Sequence, residues 1–217
     1  MNTKPETEQQ PIFEPPPVES PHLLAECLLA ISGLLLTVFS TFIQAFFTNP
    51  PWEWLQGGVY PQPLGTTYQV GAVLLTACVG GPNAGAMAQI GYVLLGLGWL
   101  PVFAHGGGWD YWQEPTFGYI LGFIPGAWVC GRLAYRERAK IEALAVSALT
   151  GLGIIHGVGL FYLTAITALR LSQNFPLSWK ELPQAYLSFS LFPLPGQMIV
   201  VCLGVVLAFF LRKILFF

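Results

Sequence analysis

The sequence predicts an all-α integral membrane protein, a bundle of six transmembrane helices with both termini on the cytoplasmic side. Of the 217 residues, 54% are hydrophobic and only 9% are charged, and the mean hydropathy is +0.59. Soluble domains carry about 25% charged residues. Apolar runs recur along the chain, and basic residues collect in alternate loops. This pattern excludes an ordinary soluble domain, a nucleic-acid-binding protein and a disordered protein.

The first 22 residues differ from the rest of the chain. They are rich in proline and glutamate, contain Lys4 as their one basic residue and show no apolar period. Such a segment buries too little apolar surface to offset the entropy lost on ordering. We therefore expect residues 1–22 to be a disordered cytoplasmic tail and residues 23–217 to be the transmembrane domain.

Six apolar segments are candidate spans, because about 20 mostly apolar residues cross a bilayer as a helix. The second and third are short, and Gly80-Gly81-Pro82-Asn83 between them is typical of a tight turn. A lone segment of that length is often re-entrant, whereas a bundle accommodates short or tilted helices. We therefore count six spans. They are Leu23–Phe47, Gln69–Val79, Ala84–Gly98, Thr116–Gly131, Glu142–Leu169 and a helix within Leu187–Leu211.

The basic residues predict the orientation, because cytoplasmic loops are enriched in Lys and Arg. With six spans, Arg170 and Lys180 lie on one side and the other seven basic residues lie on the opposite side. Both termini and the loop between spans four and five are therefore expected to be cytoplasmic. The seven are Lys4, Arg132, Arg136, Arg138, Lys140, Arg212 and Lys213.

The outer loops of this topology hold six of the seven tryptophans. One interpretation is the belt of tryptophan and tyrosine that forms at membrane interfaces. Belts populate both interfaces, yet the cytoplasmic side offers only Tyr135 nearby, so an aromatic-lined outer pocket for a small molecule is an equal alternative. The tryptophans are Trp52, Trp54, Trp99, Trp109, Trp112 and Trp179.

No residue pattern indicates catalysis, a cofactor or a metal site. The four cysteines are far apart and are expected to be buried free thiols. Spans two to six hold no chain of charged residues, and the chain has no phosphate-binding loop, so a transporter of this kind needs a partner to supply energy. His156, in the fifth span, is expected to hydrogen-bond a backbone carbonyl or a neighbouring helix. Gly106-Gly107-Gly108 forms either a turn or an anion-binding nest of N–H groups.

Five ordered motifs resemble those of a known family. The most specific part is the run from Gly91 to Ala104, which ends in Leu-Pro-Val-Phe-Ala and is followed by the glycine triplet and by Pro115-Thr116-Phe117-Gly118-Tyr119. Residues 62–69 precede this run with Gln-Pro and Thr-Tyr-Gln, and residues 192–196, Phe-Pro-Leu-Pro-Gly, close the pattern. Over about residues 23–217 the chain resembles the BioY family, the biotin-binding S components of energy-coupling-factor (ECF) transporters.

The resemblance implies a six-helix protein of the plasma membrane with a vitamin site near the extracellular face. It implies capture of biotin from outside and delivery inward with an ATP-driven module, which consists of a transmembrane coupling protein and a pair of ABC-type ATPases. Some members of the family are thought to function alone. The expected protein is a transport component rather than an enzyme, with no cofactor and no nucleic-acid partner.

The resemblance and the chemistry of biotin together give a candidate binding site. Gln197 is expected to serve the ureido ring, because its amide both accepts and donates hydrogen bonds. Phe103, Tyr119 and loop tryptophans are expected to wall the apolar rings. Arg170, Lys180 or the amides of the glycine triplet are candidates to pair the carboxylate. The candidate set is Gln197, Phe103, His105, Gly106, Gly107, Gly108, Thr116, Tyr119, Thr67 and Gln69.

The sequence departs from the family pattern at four positions. Gln197 and Val200 stand where the family usually carries Asp and Lys near biotin, Phe117 replaces a glycine, and His105 replaces a frequent Asn. The first helix also lacks the clean Ala-x-x-x-Ala spacing that contacts the coupling protein. Two alternatives therefore stay open. One is an S component for another small vitamin or precursor, and the other is a non-transporting membrane scaffold that docks through the proline-rich tail.

Overall fold

The computed structural model describes residues 23–169 and 177–215. The predicted tail at residues 1–22 and the loop residue Arg170 lie outside the described residues. One antiparallel pair of strands, β1 (Gln44–Thr48) and β2 (Pro61–Thr67), accompanies the helices. The helices are α1 (Leu23–Thr41), α2 (Trp54–Gly57), α3 (Gln69–Gly98), α4 (Phe117–Ala134), α5 (Ile141–Leu169), α6 (Leu182–Tyr186) and α7 (Leu194–Leu215).

The second and third predicted spans are the two arms of α3, which is a helical hairpin. Gly81 has φ 81° and ψ −175°, a conformation that glycine adopts without steric cost, and Pro82 begins the second arm. The arms lie side by side, because the Gln69 amide donates to the Tyr92 hydroxyl at 2.9 Å across 23 residues of chain. The described residues thus contain five helices long and apolar enough to cross a membrane. Since α3 contributes two arms, the six-helix prediction is confirmed.

Two of the predicted boundaries were wrong. The first span ends at Thr41 rather than Phe47, because residues 44–48 form β1 and pair with β2. A short apolar run does not by itself distinguish a helix from a strand, and here the pairing decides. The last long helix begins at Leu194, inside the predicted Leu187–Leu211, but it runs on to Leu215 rather than ending by Leu211. Residues 187–191 before it form a π-helical turn. Pro195 in the first turn of α7 suits a helix start.

One end of the bundle gathers the start of α1, the turn of α3 and the ends of α4 and α7. Arg212 donates to the Ala134 carbonyl at 2.8 Å and lies 4.2 Å from the Tyr135 ring centroid. The Tyr135 hydroxyl donates to the Val79 carbonyl. We call this the basic end, because six of the seven basic residues in the described part of the chain lie on the segments that meet here. The opposite end, with the β1–β2 hairpin and the loop at residues 99–116, is called the site end.

Small residues allow the helices to approach closely, as the sequence predicts. A Cβ on Gly131 would lie 2.5 Å from the backbone of the α3 turn, and one on Gly33 of α1 would lie 2.1 Å from Thr76. The small residues of α1 therefore pack against the chain's own α3. Among the cysteines, Cys78 and Cys130 are buried with their sulfurs 3.5 Å apart, but Cys202 is exposed, so the expectation that all four are buried was wrong.

Candidate functional site

A cavity of about 170 Å³ opens among the helices at the site end. It lies between the start of α3, the loop after α3, and parts of α4, α5, the π-helical turn and the start of α7. Five of the predicted site residues line it. The lining residues are Gln69, Val70, Ala104, His105, Tyr111, Thr116, Tyr119, Ile120, Phe123, Ile155, Phe189 and Gln197.

Phe103 belongs to the core beside this cavity rather than to its lining. Its side chain is fully buried, and its ring centroid lies 4.6 Å from that of Tyr111, 5.2 Å from that of Tyr92 and 6.3 Å from that of Phe117. These edge and tilted arrangements are favourable for aromatic rings. The cluster holds Tyr111 in place, so Phe103 acts on the cavity through the residue that lines it.

The glycine triplet folds the loop back onto the end of α3. The Gly106 N–H donates to the Phe103 carbonyl at 3.1 Å, and the Gly108 N–H donates to the Gly96 carbonyl at 2.7 Å. A Cβ on Gly107 would lie 2.2 Å from the Leu100 carbonyl oxygen. The geometry favours the turn interpretation over the anion-binding nest, because two of the three N–H groups already serve the chain's own carbonyls. The turn places Ala104 and His105 at the cavity.

Thr67 and Gln69 fix the start of α3. The Thr67 hydroxyl accepts from the Gln69 backbone N–H at 3.4 Å, which gives a partner to one of the N–H groups left unpaired at the helix start. The Gln69 amide is held by the Tyr92 hydroxyl, which in turn donates to the Val102 carbonyl at 3.0 Å. Gln69 therefore lines the cavity in a fixed position, whereas Thr67 stabilises the backbone behind it.

Three polar residues were absent from the predicted set, namely Tyr111 in the lining and, behind the lining, His156 and Ser190. Tyr119 and Ser190 share a hydrogen bond of 2.6 Å, Ser190 lies 3.1 Å from His156 Nδ1, and His156 Nε2 lies 2.7 Å from Gln197 Oε1. The expectation that His156 bonds a neighbouring helix is thereby confirmed. A polar residue inside an apolar span is costly to keep and marks functional sites. That signal could have placed His156 in the site.

The buried hydroxyl of Thr116 lies close to the Tyr111 hydroxyl, but it makes no hydrogen bond of acceptable geometry within the described part of the chain. A buried polar group without a partner costs free energy, so such a group in a binding cavity calls for a ligand or water. Burial raises the pKa of Tyr111, which keeps the neighbouring phenol neutral.

The described residues lining the cavity include no Lys, Arg, Asp or Glu. Lys180 is exposed and lies outside the lining. Val200 stands at the position where the family usually has Lys and is 3% exposed. It packs against Gly71 of α3, because a Cβ added to Gly71 would lie 2.5 Å from the Val200 side chain. The lining also contains no tryptophan, so the expected tryptophan walls were wrong. Trp99 and Trp109 are 83% and 74% exposed, which favours the interfacial belt.

Comparison with known proteins decides the family. The model of the BioY family matches residues 24–216. The chain belongs to the BioY family. An uncharacterised 21.2 kDa protein of Cyanophora paradoxa is 32% identical to it over 152 residues, which are 70% of this chain and 76% of that protein. The biotin transporter BioY of Thermotoga maritima is 44% identical over 111 residues, which are 51% of this chain and 64% of that protein.

A solved structure supports the fold of this BioY chain. A crystal structure of the S-component for biotin from an ECF-type ABC transporter matches with a TM-score of 0.59 and 20% sequence identity. The match covers 88% of this chain and 90% of that one. The fold predicted from the sequence, a bundle like that of an ECF S component, is therefore confirmed.

Proposed function

We propose that this chain is the substrate-capture component for biotin uptake, a transport protein rather than an enzyme. The observation that carries the proposal is a cavity of neutral hydrogen-bonding groups and apolar walls in a member of the BioY family. Relatives of this chain in Thermotoga maritima and Rhizobium etli are named biotin transporters. The chain is a multi-pass protein of the plasma membrane.

The chemistry of the cavity suits the ring system of biotin. Its cyclic urea has two N–H donors and one carbonyl acceptor, and Gln197, Tyr119 and Thr116 supply complementary groups. Ile120, Phe123, Ile155 and Phe189 supply apolar surface for the sulfur-containing ring. At about 170 Å³ the cavity is smaller than the roughly 300–1,000 Å³ of sites that enclose whole drug-sized ligands. It therefore encloses the rings and leaves the carboxylate chain at the mouth.

The carboxylate of biotin would remain partly hydrated beside His105. This side chain is exposed at the edge of the cavity, and no other nitrogen base lines the cavity among the described residues. Burying an unpaired carboxylate would cost several kcal/mol, whereas a carboxylate at a water-accessible mouth avoids that cost. Lys180 and Arg170 remain proposals as more distant partners, since Lys180 is outside the lining and Arg170 is not among the described residues.

The site end would face the outside and the basic end the cytoplasm. Six of the seven basic residues in the described part of the chain support this orientation, because positive charge favours the cytoplasmic side. Delivery inward would need a transmembrane coupling protein with a pair of ABC-type ATPases. We propose that the coupling protein contacts the face of α1 that points away from the bundle, where Leu24, Leu28 and Ile31 are exposed. The small residues of α1 are not free for this contact, because they pack against α3.

Native mass spectrometry of the detergent-purified protein with titrated biotin tests the function. Saturable binding, weakened by Gln197→Ala, is the expected result. Gln56→Ala is the matched control, because Gln56 is exposed on α2 at the same end of the bundle. Binding that both variants leave unchanged would move the site away from Gln197. Well-folded protein that binds no biotin would remove the proposal.

A small vitamin or precursor without a carboxylate is the second candidate ligand. The described lining offers no Lys or Arg for an acid, and Val200 is committed to packing against α3. A panel of vitamins in the same titration separates the two candidates. Tighter binding of a neutral compound than of biotin would favour the second.

A further inference from the structure

A chain of hydrogen bonds joins Tyr119 of α4 to Gln197 of α7 through Ser190 and His156. The three contacts measure 2.6, 3.1 and 2.7 Å in that order. His156 and Ser190 are only 7% and 9% exposed, so water competes little for these bonds. The Tyr119 ring also packs edge-on against the His156 ring, with centroids 5.7 Å apart. The network therefore holds two lining residues, Tyr119 and Gln197, in fixed positions from behind the cavity wall.

The direction of every hydrogen bond in the chain follows from one atom. Gln197 Oε1 can only accept, so His156 Nε2 must carry the proton. In a neutral imidazole Nδ1 is then the acceptor, and the Ser190 hydroxyl donates to it. Because Ser190 has a single proton, its oxygen accepts from the Tyr119 hydroxyl. All the protons are thus directed from Tyr119 towards Gln197.

This polarity decides what the cavity offers a ligand. The Gln197 amide nitrogen makes no hydrogen bond to the described part of the chain, so its two N–H groups remain to be used. The Tyr119 hydroxyl donates its hydrogen bond to Ser190, and its oxygen retains lone pairs that can accept. The two ends of the network therefore offer different groups, an N–H donor on Gln197 and an acceptor oxygen on Tyr119.

We infer that His156 is a positioning residue that fixes the Gln197 amide so that the cavity presents an N–H donor to the carbonyl oxygen of a cyclic urea. The lone pairs of Tyr119 then accept from the urea N–H groups. The inference rests on the proposed function and concerns the same cavity. A carboxylate at position 197 has no donor and would repel that oxygen. The amide can therefore bind the urea carbonyl oxygen, whereas an acidic residue cannot.

Biotin and 2-iminobiotin provide the test, because the protonated guanidine of the analogue donates at the position where the urea oxygen accepts. The wild-type protein should prefer biotin by roughly a hundredfold. His156→Leu frees the amide to rotate, and the preference should fall to within about threefold. His156→Gln retains an N–H donor near the Nε2 position and should restore most of it. Gln197→Glu should reverse the preference.

The outcomes separate positioning from packing. Equal weakening of both ligands by His156→Leu, with the preference kept, would show that His156 only fills space and would overturn the inference. A Gln197→Glu variant that still prefers biotin would overturn it as well. Should His156→Leu fail to fold, ¹⁵N chemical shifts of histidine in the wild-type protein decide, since a proton on Nδ1 rather than Nε2 excludes the assigned direction. A wild-type protein that binds no biotin removes the proposed function itself.

Discussion

The two ends of the bundle use their polar groups in different ways. At the basic end, Arg212 bonds the Ala134 carbonyl, Tyr135 bonds the Val79 carbonyl, and Asn83 donates to Glu26. At the site end, the Thr116 hydroxyl and the Gln197 amide nitrogen make no hydrogen bond to the described chain. Spare hydrogen-bonding capacity beside a cavity distinguishes a binding region from a structural one, because a stable fold otherwise pairs its buried polar groups.

The largest effect on this comparison should come from Gly131→Ala at the basic end. The added methyl would lie 2.5 Å from the backbone of Gly81 and Pro82, where no flexible side chain can move aside. Separating α4 from the α3 turn should cost about 3 kcal/mol or more of unfolding free energy. This loss of stability is measured by thermal unfolding in detergent, monitored as the decrease in soluble protein.

Gly153→Ala is the matched control for this change. A Cβ on Gly153 of α5 meets nothing within 4 Å, and alanine is the better helix former. This variant should unfold at or slightly above the wild-type temperature. Equal destabilisation by the two substitutions would contradict the claim that the α3 turn depends on close contact with α4.

Arg212→Met should have the next largest effect. The change keeps the length of the apolar stem but removes the hydrogen bond to Ala134 and the contact over the Tyr135 ring. We expect a loss of about 2 kcal/mol in unfolding free energy, with biotin affinity unchanged because the cavity is at the other end. Lys213→Met removes only an exposed contact of the ammonium with the Phe209 ring, 4.5 Å from its centroid, and should change stability by less than about 1 kcal/mol. A large drop in biotin affinity would show that the ends are coupled.

Thr116→Val tests the site end in the opposite sense. Valine removes an unpaired buried hydroxyl while nearly keeping the shape, so stability should stay the same or rise. If the hydroxyl bonds the ligand, biotin affinity should fall about fivefold to tenfold. Thr150→Val on α5 is the control, because its hydroxyl bonds the Val146 carbonyl away from the cavity. Unchanged affinity in Thr116→Val would assign that hydroxyl to water instead.

The sequence predicted the parts of the fold that depend on composition and periodicity. Apolar run length gave the six membrane helices, and Gly81-Pro82 gave the turn inside α3. The prediction from the sequence was wrong at residues 44–48, because an apolar run does not reveal that its strand partner, Pro61–Thr67, lies further along the chain. Long-range pairing is set by tertiary contacts that a local pattern does not contain.

The site was predicted in part for a related reason. The order of the motifs was enough to select five residues that line the cavity, namely Gln69, His105, Thr116, Tyr119 and Gln197. The network behind them was not predicted, because Ser190 is one serine among several and its contact with His156 crosses from the π-helical turn to α5. The tryptophans misled for the opposite reason, since abundance in a loop does not show which way a side chain faces.

Alkaline pH should give the smallest effect, and it sharpens the contrast between the ends. Burial raises the pKa of Tyr111 above its ordinary value of about 10, so the folded state holds this proton more tightly than the unfolded state. The stability that the neutral phenol contributes is complete below about pH 10 and is lost as the pH rises through the folded pKa. Tyr111→Phe has no such proton, so its unfolding temperature should fall less steeply above about pH 10 than that of the wild type.

At the basic end, burial likewise raises the pKa of Tyr135, but the charge of Arg212 opposes the shift. Arg212→Met should therefore make the unfolding temperature fall more steeply at alkaline pH. Identical slopes in all three proteins would show that neither tyrosine links folding to proton binding.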